Sequence, residues 1–144
     1  MPQLKSILLV DDDSTTNYLN KMLLTRLGVA EQLLVVENGR EALATLNHLC
    51  AEPVPDCPTL ILLDINMPVM NGIEFLEAYQ QLAHPQHHST IIVLLTTSVN
   101  PLELARVQQL PVAATLTKPL TAEKIQLILQ EHFNVQQRKD PSEE

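Results

Sequence analysis

The chain is poor in basic residues: nine Lys and Arg stand against seventeen Asp and Glu, a formal net charge of −8 over 144 residues. It lacks a basic stripe that could neutralise phosphates, which argues against a general nucleic-acid or anionic-membrane surface. Its only adjacent basic pair is Arg138-Lys139, near the C-terminus. No apolar run approaches about 18 residues, so no membrane-spanning helix is expected. The early apolar run from Ile7 to Val10 is broken at once by three aspartates and is too short for a signal peptide. These absences lead to the expectation of a soluble, cytoplasmic protein. C-x-x-C spacing is also missing, and Cys50 and Cys57 are expected to be two reduced thiols. There is no internal repeat and no linker towards an effector domain. A single domain over residues 1–133 is expected, with a disordered polar tail at 134–144.

Five short apolar runs punctuate the chain: Ser6–Val10, Leu33–Val36, Leu60–Leu63, Ile91–Leu95 and a weaker one at Val112–Leu116. Continuous runs of this length suit strands buried on both faces of a parallel sheet. Helical spacing separates them. Leu19, Met22, Leu23 and Leu27 recur on one face before Gly28, and Ala42, Leu43, Leu46 and Leu49 follow Asn38-Gly39. Ile73, Leu76 and Tyr79 follow Asn71-Gly72. Asn100-Pro101 reads as a cap and first turn, with Leu104, Val107 and Leu110 facing inward. Thr121 caps a last helix with Ile125, Ile128, Leu129 and Phe133 on its buried stripe. Strictly alternating strands and helices predict an α/β fold: a doubly wound, five-stranded parallel sheet with five helices on both faces. The stretch Ala51–Pro58, with three prolines, reads as a connector, and His84, His87 and His88 read as loop residues rather than a zinc site.

In such a sheet, ligands bind beyond the carboxyl ends of the strands. The first apolar run ends in Asp11-Asp12-Asp13, the third in Asp64, the fourth in Thr96-Thr97-Ser98 and the fifth in Lys118-Pro119. Carboxylates packed on one rim repel unless a proton or a cation sits among them, and an oxygen-only donor set points to a hard ion, Mg²⁺ first. A lysine beside a hydroxyl supplies what a phosphoryl group needs, a positive charge and a donor. A carboxylate held in line with that group is a nucleophile able to form an acyl phosphate.

With these residues in place, the chain resembles the bacterial receiver domains of two-component signalling over most of its length, roughly Lys5 to Phe133. The resemblance rests on the acidic pair after the first strand, the block Asp64-Ile65-Asn66-Met67-Pro68 with Gly72, the Thr after the fourth strand, and Lys118-Pro119. It implies a flavodoxin-like strand order of 2-1-3-4-5 and a phosphorylation switch that catalyses its own aspartyl chemistry rather than a conventional enzyme. Asp64 would be the phosphoacceptor and Asp12 a direct Mg²⁺ ligand. Asp11 would hold metal-bound water, and Asn66 would lend its backbone carbonyl. Thr96 would donate its hydroxyl to the phosphoryl group, with Thr97 the alternative, and Lys118 would pair with Asp64 and then with the phosphate. Pro119 would follow a cis bond. The implied partners are a sensor histidine kinase or a histidine phosphotransfer protein, then a downstream protein, with the helix 4–strand 5–helix 5 face as the surface for a partner or for a second copy of the chain. No direct DNA binding is implied.

The position three before the lysine, an aromatic in the strongest family pattern, is Thr115 here, which points to a switch working by a smaller rearrangement. Two other readings stand beside this one. Asp11-x-Asp13-x-Thr15 also resembles the first motif of haloacid-dehalogenase-type phosphatases, with Asp11 as nucleophile and Asp13 as general acid. The third reading is a receiver-like binding module that never carries phosphate.

Overall fold

The computed structural model describes residues 4–50, 57–81, 90–97 and 101–133. Five strands, β1 (Leu4–Val10), β2 (Ala30–Val36), β3 (Leu60–Asp64), β4 (Ile91–Thr96) and β5 (Ala114–Thr117), alternate with five helices. The helices are α1 (Ser14–Leu27), α2 (Gly39–Leu49), α3 (Gly72–Tyr79), α4 (Pro101–Val107) and α5 (Ala122–Ile128), and a π-helical turn at Leu129–Phe133 extends the last. The sheet is parallel throughout and ordered β2-β1-β3-β4-β5, as expected.

Burial follows the twofold period of the strands. Leu8, Val10, Ile61, Leu63, Ile92 and Leu94 pack on one face with Ala42 and Leu46 of α2 and with Ile73, Phe75 and Leu76 of α3. Ile7, Leu9, Leu60, Leu62, Val93 and Leu95 pack on the other, with Leu24 of α1 and Ile125 and Ile128 of α5. The central strand β3 is buried along its whole length. An all-apolar run suits that place because neither face meets water.

The helix starts have polar caps. Asp13 caps α1, Asn38 caps α2, Thr121 caps α5, and Asn71 with Glu74 forms a reciprocal capping box on α3. Gly28 ends α1 in the left-handed region at φ 63°. The expected cap at Asn100, the histidine cluster, the tail at 134–144 and most of the proline-rich connector lie outside the described residues.

Three expectations need correction. The inward face of α1 is Asn17, Asn20 and Leu24, whereas Leu19 and Met22 are exposed. Of the expected stripe, Leu23 and Leu27 do reach the core, partly buried beside Leu24, while the turns nearest the rim give their inward positions to Asn17 and Asn20. Leu104 is likewise exposed on α4, where Val107 is the buried contact. Cys50 and Cys57 are joined as a disulfide across a Cα–Cα distance of 4.8 Å. Cys50 caps the C-terminus of α2 and Cys57 lies just before β3, so the β2–α2–β3 crossover brings them together. That return of the chain has no counterpart in local cysteine spacing.

Candidate functional site at the carboxyl rim of the sheet

Register places the acidic residues. Val10 pairs with Leu63, so the next residues, Asp11 and Asp64, end neighbouring strands side by side. They share parity with Leu9 and Leu62, and both carboxyls therefore rise on the α1–α5 side of the sheet. This is the point at which strand order reverses between β1 and β3. Carboxylate oxygens of Asp11, Asp12 and Asp64 lie within 4.8 Å of one another. Asp11 and Asp64 are buried and Asp12 is exposed, leaving the cluster open to solvent on one side.

Lys118 closes the rim opposite. Its Nζ lies 2.8 Å from Asp11 Oδ2 and 3.3 Å from Asp64 Oδ1. Thr96 sits across from Thr117 in the β4–β5 register, and the Lys118 N–H donates to the Thr96 carbonyl at 2.8 Å. The Lys118-Pro119 bond is cis, as the resemblance implied. Thr96 is buried and Thr97 is exposed.

The electrostatics follow from the crowding. Burial pushes the Asp64 carboxyl above its ordinary value of 3.8; the Asp11 carboxylate adds to the rise and Lys118 opposes it. Burial alone would lower the Lys118 ammonium, but Asp11 and then Asp64 outweigh it and hold it above 10.5. The lysine thus stays charged. The cluster carries more negative charge than one ammonium offsets, and its donors are all oxygen, so the residues fit a hard divalent cation.

The loop after Asp64 is held by close backbone approaches. Gly72 N–H donates to the Ile65 carbonyl at 2.8 Å. Val69 has φ 69°, and Met70 N–H returns to the Pro68 carbonyl at 2.7 Å, a γ-turn. Gly39 at the start of α2 donates to the Met70 carbonyl at 3.0 Å, so α2 braces this loop. Asn66 follows within it, with its side chain exposed.

Two supporting residues escaped the sequence reading. Buried Asn17 donates its amide N–H to the Asp11 carbonyl at 2.8 Å, fixing the acidic turn from α1. Lys124 Nζ donates to the carbonyls of Thr117 (2.5 Å) and Pro119 (3.0 Å), the two residues that flank Lys118. Asn17 carried one signal, its place on the first turns of a helix that starts at the acidic rim. Lys124 carried none, because its acceptors are main-chain atoms.

Comparison with known proteins gives the family. A family model described as the response regulator receiver domain matches residues 7–130. The chain belongs to the response-regulator receiver family. Response regulator Rcp1 of Synechocystis is 32% identical over 79% of this chain and 76% of its own. A probable chemotaxis protein CheY of Rhizobium etli is 29% identical over 88% of this chain and 91% of its own. Among solved structures, a two-component response regulator from Cytophaga hutchinsonii superposes with a TM-score of 0.80 at 31% identity, covering 92% of this chain and 98% of that one. The CheY4 chemotaxis protein of Vibrio cholerae gives 0.73 at 29% identity, covering 90% and 98%.

The receiver is thus a signalling protein, and the phosphatase alternative gains no support. Asp13, its required general acid, caps α1: it accepts from Thr15 N–H at 3.1 Å and Thr16 Oγ1 at 2.8 Å. The Thr16 hydroxyl, then the Thr15 N–H, hold its carboxyl below the ordinary value, which suits an ionised cap and not a proton donor. Among the described residues, no helix is long and apolar enough to cross a membrane.

Proposed function

We propose that this receiver works in the cytoplasm as a phosphoacceptor switch, taking a phosphoryl group onto Asp64 from the phosphohistidine of a sensor kinase or phosphotransfer protein. The observation that carries the reading is the convergence of the Asp11, Asp12 and Asp64 carboxylates, within 4.8 Å of one another, on the Lys118 ammonium. A solved structure of the phosphorylated cyanobacterial phytochrome response regulator RcpA, 26% identical with a TM-score of 0.73 over 94% of this chain, supports it by likeness.

In the transfer, an Asp64 carboxylate oxygen attacks phosphorus as the P–N bond to the donor imidazole breaks. The bonding pair stays on the imidazole nitrogen, which takes up a proton from solvent. Lys118 turns part of its charge from Asp64 to the phosphoryl oxygens while still touching Asp11. The Thr96 hydroxyl is the donor proposed for a phosphoryl oxygen. Asp11, Asp12, Asp64 and the Asn66 main-chain carbonyl are the groups that would hold Mg²⁺, which when bound supplies positive charge against the phosphoryl oxygens. Positioning and charge neutralisation, rather than a further protein nucleophile, account for the catalysis.

The output surface proposed is the α4–β5–α5 face, where Leu102, Leu104, Thr115 and Leu127 are exposed and could meet a partner protein or a second copy. Incubation with acetyl phosphate and Mg²⁺ followed by intact mass measurement tests the function. The wild type should gain one HPO₃ group and Asp64→Asn none; equal gain in both would overturn the assignment.

Two expected results arise from the same geometry. In metal-free protein at neutral pH, ionised Asp64 is held above its unfolded pKa and therefore costs stability, a cost that appears as pH rises through the folded value. Asp64→Asn should melt higher than wild type at neutral pH, and the gap should close below a pH of about 4, where the unfolded carboxyl is also protonated. Mg²⁺ at ten times its dissociation constant should stabilise wild type by about 1.4 kcal/mol, a shift of about 5 °C read by scanning calorimetry.

Lys124→Met should slow phosphoryl uptake about tenfold by loosening the turn that aims Lys118, with little change in melting temperature. Uptake time courses by intact mass check it, and an unchanged rate would remove Lys124 from the account.

A further inference from the structure

The Cys50–Cys57 pair lies at the opposite end of β3 from Asp64 and plays no part in the phosphoryl chemistry. We infer that it is an oxidative modification site, a thiol pair that closes and opens reversibly by exchange with low-molecular-weight disulfides such as oxidised glutathione.

Three observations carry this. The Cα atoms are 4.8 Å apart, inside the range a disulfide spans without moving the backbone. The two sulfurs differ in access: Cys50 is 2% exposed within the α2–α3 core, whereas Cys57 is half-buried at its margin. Finally, the bridge joins the two ends of a crossover, the C-cap of α2 and the segment leading into β3.

The asymmetry assigns the order of events. The accessible Cys57 thiolate attacks one sulfur of the small disulfide, expelling one thiolate and forming a mixed disulfide. The Cys50 thiolate then attacks the Cys57 sulfur and expels the second. Both protein thiols lose their protons, and the small disulfide takes up two electrons and two protons to leave as two thiols. Reduction runs the same steps backwards. Disulfides in reducing compartments are characteristically of this transient, responsive kind.

Closing the ring links α2, which braces the Met70 loop at its other end, to the strand that carries Asp64. The readout is therefore stability, and no step of the test depends on phosphorylation. The protein is equilibrated in buffers of reduced and oxidised glutathione of graded ratio, quenched with N-ethylmaleimide and weighed. Wild type should pass from two alkylated thiols to none in one two-electron transition. Its oxidised form should melt about 5–10 °C above the reduced form, with the gap absent in Cys57→Ser. Cys50→Ser should accumulate glutathione on Cys57, and Cys57→Ser should react far more slowly at buried Cys50. Two alkylatable thiols at every ratio, or equal melting of the oxidised and reduced forms, would overturn the inference.

Discussion

Lys118→Met is expected to slow phosphoryl uptake at Asp64 by about two to three orders of magnitude, the usual loss when one preorganised charge-stabilising group is removed. Nζ touches both Asp11 and Asp64, so under the proposed function it would screen the nucleophile before transfer and neutralise oxygens after it. Methionine keeps most of the stem's apolar packing and removes only the charge. The same change should lower metal-free stability at neutral pH by about 1–2 kcal/mol, a modest figure because the ammonium is partly solvated.

The pH dependence distinguishes this loss from a packing defect. The folded lysine is held above 10.5, so its contribution is complete below that value and disappears as pH rises through the folded pKa. It also fades on the acid side as the carboxylates protonate. The melting difference between wild type and Lys118→Met should thus be widest near neutrality and narrow at both extremes. A constant difference across pH, with uptake unaffected, would refute the role.

Gly72→Ala is expected to cost about 3 kcal/mol, a fall in melting temperature of about 10 °C, and to impair phosphoryl uptake as well. A Cβ there would stand 2.5 Å from the Asp64 carbonyl oxygen and 2.9 Å from Ile65 Cα. Both are main-chain atoms at the end of β3, so relief requires moving either α3 or Asp64 itself. Gly28→Ala provides the contrast. Nothing lies within 4 Å of a Cβ at Gly28, and the cost, about 1 kcal/mol, comes only from its left-handed φ of 63°. Thermal melts of the two variants, with uptake measured on each, should show a larger loss for Gly72 and lost function for it alone.

Much of this was legible in the residues, and the reasons differ by element. The parallel sheet followed from alternation, because buried parallel strands must read as unbroken apolar runs, and Leu60–Leu63 does, whereas its order came with the family resemblance. Asp11, Asp64, Thr96 and Lys118 could be named because each stands where an apolar run ends, and sheet topology brings such ends together. The caps at Asn38, Asn71 and Thr121 were visible because capping is a local matter. Long-range events were not visible. The face of α1 was misjudged at Leu19 and Met22, though not at Leu23 and Leu27, because Asn17 turns inward to serve the Asp11 carbonyl, and apolar spacing has no means of expressing that demand. Lys124 acts on main-chain carbonyls across the Lys118-Pro119 turn, and the Cys50–Cys57 contact depends on the crossover closing.

The most direct test of the account is to locate the modified side chain. Phosphorylated protein is treated with borohydride, which reduces an acyl phosphate to the alcohol and converts the modified aspartate to homoserine, and the peptides are sequenced by mass spectrometry. The account predicts homoserine at position 64 and at no other aspartate. Homoserine at Asp11, Asp12 or Asp13, or phosphorylated protein with none at 64, would contradict it.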